Sequence, residues 1–329
     1  MDLSIIIVNW NSVNYLRDCV ASILEYTRGI SFEIIVVDNA SPTGDADIIE
    51  QEFRNVTFIR SCKNLGFAGA NNLGFRRASG EYVLFLNPDT KLISPAINLM
   101  LERLRSLADA GILGCKLLNS DLSVQTSSIQ KFPTILNQVF QSEYLRLRWP
   151  SFPLWDIGPL FSDSPRPTRV EAITGACMMM KREVFEIVGL YSEDYWMYSE
   201  DLDLCLKVKR AGFKNYYIGD ATIIHYAGKS SDPEWALTMK LRSDLRFLSI
   251  SRGPFYLLAF RIGMALNAVA RLAIIAVVYP FWRVLGKQTA PGPTWSKWRV
   301  VLRVLRAGST GSEPARDSGK SVTDCVTRT

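Results

Sequence analysis

Hydrophobic and polar positions follow two alternating patterns along the first 118 residues. Five short, largely apolar runs rich in β-branched residues predict strands at 3–10, 32–39, 56–60, 81–87 and 111–118. The segments between them space their apolar residues as helices do. Strands that are apolar on both faces and alternate with helices are typical of a mostly parallel sheet covered on both sides. The predicted fold class is therefore α/β.

The pattern is lost over residues 119–168, where Ser, Pro and Trp are frequent. An irregular segment of this length inside a domain is usually functional or mobile. The pattern then resumes, and it predicts in turn two strands over 170–182 with a turn at Gly175, a helix over 200–211, strands near 213–218 and 221–226, and a helix over 233–251.

Residues 254–282 are strongly apolar, but Arg261 and Arg271 divide them into pieces shorter than a spanning helix needs. On a helical wheel the two arginines lie roughly 80° apart, on one side. An amphipathic helix in the plane of a membrane interface explains both arginines. A helix packed on the surface of the protein itself is the alternative.

The charge distribution favours the membrane interpretation. The chain has 38 Lys and Arg against 32 Asp and Glu, yet residues 245–306 contain ten basic residues and no acidic residue. An acid-free basic block suits anionic lipid headgroups, and the slightly acidic remainder argues against a nucleic-acid partner. Residues 251–306 are therefore predicted to associate with a membrane, and the Ser/Thr/Gly-rich residues 307–329 to form a disordered tail.

Several function classes are excluded by what the sequence lacks. His225 is the single histidine, so a zinc site with two or more histidines is impossible. No GxGxxG follows a predicted strand, which disfavours a dehydrogenase, and no GxSxG elbow is present. The six cysteines form no CxxC pair and the start of the chain has no secretory pattern, which predicts a reduced protein facing the cytosol.

Polar residues recur where the predicted strands end. Asn9 lies at the end of the first strand, Asp38 at the end of the second and Asn87 at the end of the fourth, with Asp89 just beyond it. The carboxyl ends of parallel strands meet at one edge of a sheet, where α/β proteins bind nucleotides. A carboxylate such as Asp89 just after a buried strand is a good ligand for a divalent cation shared with phosphates, although NPDT is also an ordinary turn and helix cap.

The second half contributes acidic and aromatic residues. Glu200 and Asp201 begin a predicted helix just after Trp196. Carboxylates in the first turn are ordinary helix caps, but aromatic rings beside them also suit a sugar, with one acid taking a hydroxyl proton. His225 ends a strand-like run; such a histidine is commonly structural, and its imidazole is also a good metal ligand.

Seven motifs occur in order: NWN (9–11), VVDNAS (36–41), NLGFAGANNLG (64–74), FLNPDT (85–90), TGACMMMKR (174–182), MYSEDLDLCLK (197–207) and HYAGKS (225–230). Together they resemble a family 2 glycosyltransferase of the GT-A fold, in the branch that contains bacterial rhamnosyltransferases. The resemblance covers about residues 1–250. It implies a nucleotide-sugar-binding half at 1–118 and an acceptor and catalytic half at 119–250.

The resemblance implies an inverting transfer from a nucleotide-sugar, best assigned as L-rhamnose from dTDP-rhamnose. The implied acceptor is a hydroxyl group of a polyprenyl-diphosphate-linked or cell-wall glycan, and the implied location is peripheral, at the cytoplasmic face of the cell membrane. UDP-galactofuranose, UDP-hexose and N-acetylhexosamine donors remain open. A non-catalytic nucleotide-sugar-binding protein is the alternative from another class.

The resemblance also assigns roles by position. Asp38 is expected to bind the nucleoside, in a pocket lined by Asn9 and Asn64. Asp89 matches the second acid of the metal-binding DxD motif, Asn87 replaces the first acid, and His225 matches a histidine that ligates the metal, Mg²⁺ or Mn²⁺.

On the acceptor side, the resemblance makes Asp201 the general base. Gly175, Trp196 and Glu200 are expected to contact substrate. A bound cation takes up charge on the departing diphosphate while the sugar passes through an oxocarbenium-like state.

Overall fold

The computed structural model describes residues 1–42, 46–140, 148–149, 152, 166–226, 232–284 and 292–307. The chain forms two compact units. Among the described residues, the first unit comprises 1–132 and 166–226, and the second comprises the described residues from 133 to 152 and from 232 onward. The predicted tail beyond 307 and much of the irregular segment 119–168 lie outside the described residues.

The elements follow one another in a regular α/β order up to residue 118. In chain order they are β1 (Leu3–Asn9), α1 (Val13–Tyr26), β2 (Phe32–Asp38), α2 (Ala46–Glu52), β3 (Thr57–Arg60), α3 (Gly66–Phe75), β4 (Tyr82–Leu86), β5 (Thr90–Leu92), α4 (Ala96–Ser106) and β6 (Ala110–Leu118).

The remaining elements are shorter at first and then long and helical. They are a 3-10 turn (Thr126–Ser128), β7 (Ile129–Gln130), α5 (Ile135–Val139), β8 (Thr168–Val170), β9 (Ala172–Ile173), β10 (Cys177–Lys181), α6 (Arg182–Ile187), α7 (Glu200–Arg210), β11 (Lys214–His225), α8 (Pro233–Arg252), α9 (Pro254–Val284) and α10 (Gly292–Ala307).

A mixed sheet forms the centre of the first unit, in the order β3-β2-β1-β4-β10-β6-β11-β5, with β8 paired to β11. The pairings β1–β2, β2–β3, β1–β4 and β6–β11 are parallel, as the alternating pattern predicts. The antiparallel pairings involve β10, β5 and β8. Because β10 runs against β4, its first residues lie at the same sheet edge as the carboxyl end of β4.

Helices cover the sheet on both faces because its strands are apolar on both. Ile5 and Ile7 of β1 pack in the same cluster as Leu16 and Val20 of α1. Val8, Ile35 and Val37 face the other way and pack with Ala70 and Leu73 of α3. Burying each such aliphatic side chain contributes about 1.5–3 kcal/mol.

Two strand predictions are corrected. Residues 213–218 and 221–226 form one strand, β11, with a register shift between Ile218 and Thr222. The polar pair Gly219-Asp220 looks like a turn in the sequence, but Asp220 accepts a hydrogen bond from Arg103 at 3.2 Å inside the bulged strand. The short strand β5 was not predicted, because three residues after a turn carry no periodic signal.

The second unit is helical. Asp232 caps α8 by accepting a hydrogen bond from the Trp235 amide at 2.8 Å, and Pro233 occupies the first turn, where its missing N–H costs nothing. Gly253, with φ +83°, separates α8 from α9. The buried side chains of this unit come from α8, α9 and α10: Leu241, Leu245, Leu248, Phe260, Met264, Ala268, Trp298, Val300, Val301, Val304 and Leu305.

Helix α9 turns its two arginines toward the protein. A guanidinium nitrogen of Arg261 donates to the carbonyl oxygen of Leu305, and one of Arg271 donates to that of Val139 at 3.3 Å. The Arg271 guanidinium also lies over the Trp298 ring, 4.8 Å from its centroid. The two arginines, which the sequence analysis explained by a helix at a membrane interface, are thus explained by hydrogen bonds within their own unit.

The other side of α9 is apolar and exposed. Among the described helices, Pro254–Tyr279 is long and apolar enough to cross a membrane by length and composition, and little of it is buried. Seven apolar side chains of α9, spaced three to five residues apart, are more than half exposed: Phe255, Leu258, Ile262, Leu266, Val269, Ile274 and Val277. We call these seven residues the α9 stripe.

Candidate active site

The carboxyl ends of β1 and β2 hold a polar cluster around Asp38. Asn9 and Asp38 are register partners, and the Asn9 side-chain amide donates to Asp38 Oδ1 at 2.9 Å. The Ser41 hydroxyl donates to the same oxygen at 2.6 Å, and the Ser12 hydroxyl donates to Asn9 Oδ1 at 3.1 Å. These bonds fix the buried Asp38 carboxylate at the edge of the sheet where its strand ends.

Asn64 lies beside this cluster. Asn39, the residue after β2, donates from its side chain to Asn64 Oδ1 at 3.0 Å, and the Gly66 amide donates to the same oxygen at 2.9 Å. Asn39 Oδ1 in turn accepts from the Leu65 amide at 2.7 Å. Asn64 and Asn39 therefore hold the start of α3 against the end of β2, and the predicted neighbours Asn9, Asp38 and Asn64 are gathered at one edge.

The start of α3 also holds the loop that carries Trp196. The Phe67 amide donates to the Trp196 carbonyl oxygen at 3.1 Å. Gly66 has φ +70°, and a Cβ there would lie 2.5 Å from the same oxygen. Only glycine fits this position without moving the Trp196 backbone.

Backbone strain concentrates around the site. Six described non-glycine residues have positive φ, and four of them flank the predicted site: Asn11, Ala40, Tyr198 and Ser199. Asn11 and Ala40 lie two residues beyond β1 and β2, whereas Tyr198 and Ser199 immediately precede α7. Left-handed conformations of non-glycine residues cost about 1–3 kcal/mol each and cluster at functional sites.

Asp89 and His225 face each other across the pairing of β5 with β11. Thr90, the residue after Asp89, is the register partner of His225, and the Tyr226 amide donates to the Asp89 carbonyl oxygen at 2.9 Å. Asp89 Oδ1 consequently lies 3.3 Å from His225 Nε2. The Asn87 side-chain nitrogen lies 3.4 Å from the same Nε2. The unpredicted strand β5 is thus what joins these three predicted residues.

The donor set fits a divalent cation. It comprises a carboxylate oxygen, an imidazole nitrogen and the amide oxygen Oδ1 of Asn87, which is buried and accepts no hydrogen bond from the described residues. Mg²⁺ and Mn²⁺ accept such ligands together with substrate phosphates. No group of three His, Cys, Asp or Glu side chains that could hold a metal occurs among the described residues.

Asp201 is held by three N–H donors at the start of α7. Its Oδ2 accepts from the Gly175 amide and from the Gln130 side chain, both at 2.9 Å, and its Oδ1 accepts from the Leu202 amide at 2.8 Å. The positive end of the α7 dipole also favours a carboxylate here. A Cβ on Gly175 would lie 3.4 Å from the Asp201 Cβ, an ordinary van der Waals contact, so Gly175 contributes to this site through its backbone amide.

A short backbone path links Asp201 to Asn87 of the predicted metal site. Gly175 binds Asp201, and the next residue, Ala176, accepts from the Asn87 amide at 3.0 Å. Glu200 is buried beside Tyr191; burial, together with the Glu200 and Asp201 carboxylates, raises the pKa of Tyr191. The structure therefore places Asn87, Gly175, Glu200 and Asp201 in one region of the sheet edge.

Two glutamines of the irregular segment belong to the site and were not predicted. Gln130 binds Asp201, and Gln125 Oε1 lies 2.8 Å from His225 Nδ1. The sequence indicated only that a long irregular segment is often functional. Glutamine in a Ser-rich stretch gives no further signal. Ser12 and Ser41 were likewise not assigned a role.

The sequence comparison decides the family. Residues 4–189 match the sequence profile of glycosyl transferase family 2. The chain belongs to glycosyl transferase family 2. This glycosyltransferase is therefore an enzyme, as the ordered motifs predicted.

Relatives of known sequence agree with this membership. The N-acetylglucosaminyl-diphospho-decaprenol L-rhamnosyltransferase of Mycobacterium tuberculosis is 28% identical over 264 residues, which cover 75% of this glycosyltransferase and 84% of the relative. The protein y4gI of Sinorhizobium fredii is 30% identical over 237 residues, 70% of this chain. The chain spans only 25% of the length of y4gI.

The fold also matches a solved structure. The mannosyltransferase PcManGT of Pyrobaculum calidifontis, in complex with GDP-Man and Mn²⁺, superposes with a TM-score of 0.58 at 18% identity. The match covers 93% of this glycosyltransferase and 86% of that chain. The predicted GT-A fold, a mixed sheet flanked by helices and followed by an apolar C-terminal helix, is confirmed.

Proposed function

We propose that this glycosyltransferase moves a sugar, L-rhamnose from dTDP-rhamnose, to a hydroxyl group of a polyprenyl-diphosphate-linked or cell-wall glycan, with inversion at the anomeric carbon. The observation that carries the proposal is the distance of 3.3 Å between Asp89 Oδ1 and His225 Nε2. Asp201 lies nearby, because its carboxylate binds the Gly175 amide and the next residue, Ala176, binds the Asn87 amide. The name of the mycobacterial relative supports rhamnose and a diphospho-lipid acceptor.

The donor occupies the edge formed by β1, β2 and β4. Asp38, held by Asn9 and Ser41, accepts a hydrogen bond from the nucleoside. Asn64 completes that side of the pocket. Because these side chains are already ordered by one another, little entropy is lost when the donor binds.

Asp89, His225 and Asn87 are the residues that would hold Mg²⁺ or Mn²⁺. When bound, the cation supplies positive charge that stabilises the departing diphosphate. The mannosyltransferase of similar fold was solved with Mn²⁺. Asn87 gives this site one carboxylate fewer than a DxD pair, so metal affinity depends more strongly on Asp89 and His225.

Asp201 acts as the general base on the acceptor side. Three N–H donors hold its carboxylate in one orientation, which is what proton transfer from an acceptor hydroxyl requires. Inversion needs no sugar–enzyme intermediate, so one base and one stabilised leaving group account for the reaction. Gly175 orients Asp201, and Trp196 and Glu200 contact substrate beside it.

The proposed location is peripheral, at the cytoplasmic face of the cell membrane. The α9 stripe is an uncharged apolar surface, with Phe255 88% and Leu266 66% exposed. Apolar stripes of this kind enter the boundary between headgroups and acyl chains. Because Arg261 and Arg271 are bonded inside their own unit, the attraction is mainly hydrophobic, with exposed Arg299 and Arg306 of α10 available to anionic lipids.

A panel of nucleotide-sugars tests the proposed donor. Purified protein is screened by thermal shift, with and without Mn²⁺, and every stabilising donor is then assayed for nucleotide release with a polyprenyl-diphosphate glycan. Stabilisation and turnover with dTDP-rhamnose are expected. Turnover with another donor alone replaces rhamnose in the proposal, and binding without any turnover favours the non-catalytic alternative.

A further inference from the structure

Gln125 makes a set of contacts that only one orientation of its side-chain amide satisfies. The residue is buried, and its backbone amide is fixed by donation to the Leu117 carbonyl oxygen at 2.8 Å. Its side-chain nitrogen lies 3.4 Å from the backbone carbonyl oxygen of His225, which is an acceptor only. The nitrogen must therefore point there, and the oxygen Oε1 must face His225 Nδ1 at 2.8 Å.

A second chain of hydrogen bonds leads independently to the same orientation. The Ser123 hydroxyl donates to Asp121 Oδ1 at 2.5 Å, so its oxygen is left to accept from the Asn119 amide nitrogen at 2.9 Å. Asn119 Oδ1 then faces Gln125 and accepts from its side-chain nitrogen at 3.1 Å. The bonds from Ser123 also lower the pKa of Asp121, which keeps this end of the chain an acceptor.

The orientation of Gln125 determines which ring nitrogen of His225 carries the proton. Because Gln125 Oε1 has no proton, His225 Nδ1 must carry one, and in the neutral ring Nε2 then has a free lone pair. The Nε2 atom that carries this lone pair lies 3.4 Å from the Asn87 side-chain nitrogen and 3.3 Å from Asp89 Oδ1. An imidazole with the opposite tautomer would present an N–H at the place where a cation ligand is needed.

We propose that Gln125 is a positioning residue that fixes His225 in the Nδ1–H tautomer and so turns the Nε2 lone pair toward Asp89. This inference rests on the proposed function for the role of His225 as a metal ligand. Gln125 acts through His225, which its side chain binds at both Nδ1 and the backbone carbonyl oxygen. Partners of this kind hold a ligating histidine in orientation, and their loss typically weakens metal binding about 10–100-fold.

His225 is the only histidine in the sequence, so NMR signals of histidine ring nitrogens report its tautomer without overlap. Full-length protein made without a polyhistidine tag and labelled with ¹⁵N-histidine gives one pair of ring nitrogen signals, recorded at pH 8 without metal. We expect the protonated nitrogen to be Nδ1, identified by its couplings to the ring carbon-bound protons. A protonated Nε2 in the wild-type protein would overturn the inference.

Two variants separate positioning from simple packing. Gln125→Met keeps the length of the side chain and removes the acceptor, so the Nδ1–H tautomer should be lost and Mn²⁺ affinity, measured by calorimetry, should fall about 10–100-fold. Gln125→Glu retains an oxygen opposite Nδ1 and should keep the Nδ1–H tautomer. Its second oxygen replaces the nitrogen that donates to the His225 carbonyl oxygen and to Asn119 Oδ1, so this variant should be less stable than the wild type. An unchanged tautomer in Gln125→Met contradicts the inference.

The tautomer spectrum is recorded without metal or substrate, so its outcome is separate from that of the proposed function. If the spectrum shows Nδ1–H and responds to Gln125→Met, but the wild-type protein binds no Mn²⁺, the positioning role stands and the proposed metal site fails. If Mn²⁺ binds with equal affinity to wild type and Gln125→Met, the positioning role fails while the metal site stands.

Discussion

Replacing Asp201 with asparagine removes the proposed base with the smallest change in shape. Two donors, the Gly175 amide and the Gln130 side chain, meet Oδ2, and one donor, the Leu202 amide, meets Oδ1. An asparagine oxygen at the Oδ2 position keeps the first two bonds. Its NH₂ group then faces the Leu202 amide, so one hydrogen bond is lost.

The two consequences of this change differ in size. Losing one buried hydrogen bond costs about 1–3 kcal/mol of unfolding free energy, which lowers the melting temperature by a few degrees. Losing a general base costs about 10²–10⁴ in rate, equivalent to roughly 3–5.5 kcal/mol of transition-state stabilisation. Donor affinity should hardly change, because the Asp38 cluster is untouched.

The assay measures nucleotide release under single-turnover conditions, well below the melting temperature, together with donor affinity by calorimetry. Asp203→Asn is the matched control, because Asp203 lies in the same helical turn and its carboxylate binds Ser192 at 2.5 Å and pairs with Lys207. The control should lose comparable stability and keep its rate within a few-fold. Near wild-type turnover in Asp201→Asn would remove Asp201 from the mechanism.

Three further predictions concern the loop, the membrane surface and the core. Gly66→Ala places a Cβ on a residue with positive φ and 2.5 Å from the Trp196 carbonyl oxygen. Gly29→Ala is the control, because Gly29 also has positive φ but a Cβ there would have no atom within 4 Å. Denaturant unfolding should show about 1 kcal/mol or more of additional destabilisation in Gly66→Ala, and equal losses would mean that the loop adjusts freely. Leu266→Glu should reduce flotation of the protein with lipid vesicles at both low and high salt, whereas Ile187→Glu, which changes an exposed apolar residue of α6, should not; unchanged flotation of Leu266→Glu would show that the α9 stripe does not contact lipid. Burial raises the pKa of Cys19 to about 12 from an ordinary value near 9, so its contribution to stability is complete below pH 9 and is lost as the pH rises toward 12. Unfolding free energies at pH 8 and 10.5 should therefore fall more for the wild type than for Cys19→Ala, and parallel losses would refute the assignment.

The sequence predicted the sheet well because its strands carry the strongest available signal. Runs such as 32–39 are apolar on both faces, and only a covered, largely parallel sheet buries both. Polar residues at the ends of those runs, Asn9 and Asp38, then had to meet at one edge. Short elements were missed for the opposite reason: β5 has three residues, and its pairing with β11 depends on contacts distant in the chain.

The same limit applies to the site. Asp89 and His225 were predicted from chemistry and resemblance, but nothing local indicated that Gln125 and Gln130 lie against His225 and Asp201. Likewise, the helical spacing of Arg261 and Arg271 correctly predicted that both lie on one side of α9. The side of α9 that packs on its own unit depends on α5 and α10, whose backbone carbonyl oxygens accept hydrogen bonds from these arginines.

The anomeric configuration of the product tests the central claim most directly. Wild-type protein is incubated with dTDP-rhamnose, Mn²⁺ and a polyprenyl-diphosphate glycan, and the product is examined by NMR. A rhamnoside of configuration opposite to that of the donor, formed in a single displacement that depends on Asp201, is the expected result. A product with the donor's own configuration would contradict the assignment of Asp201 as the base of an inverting transfer.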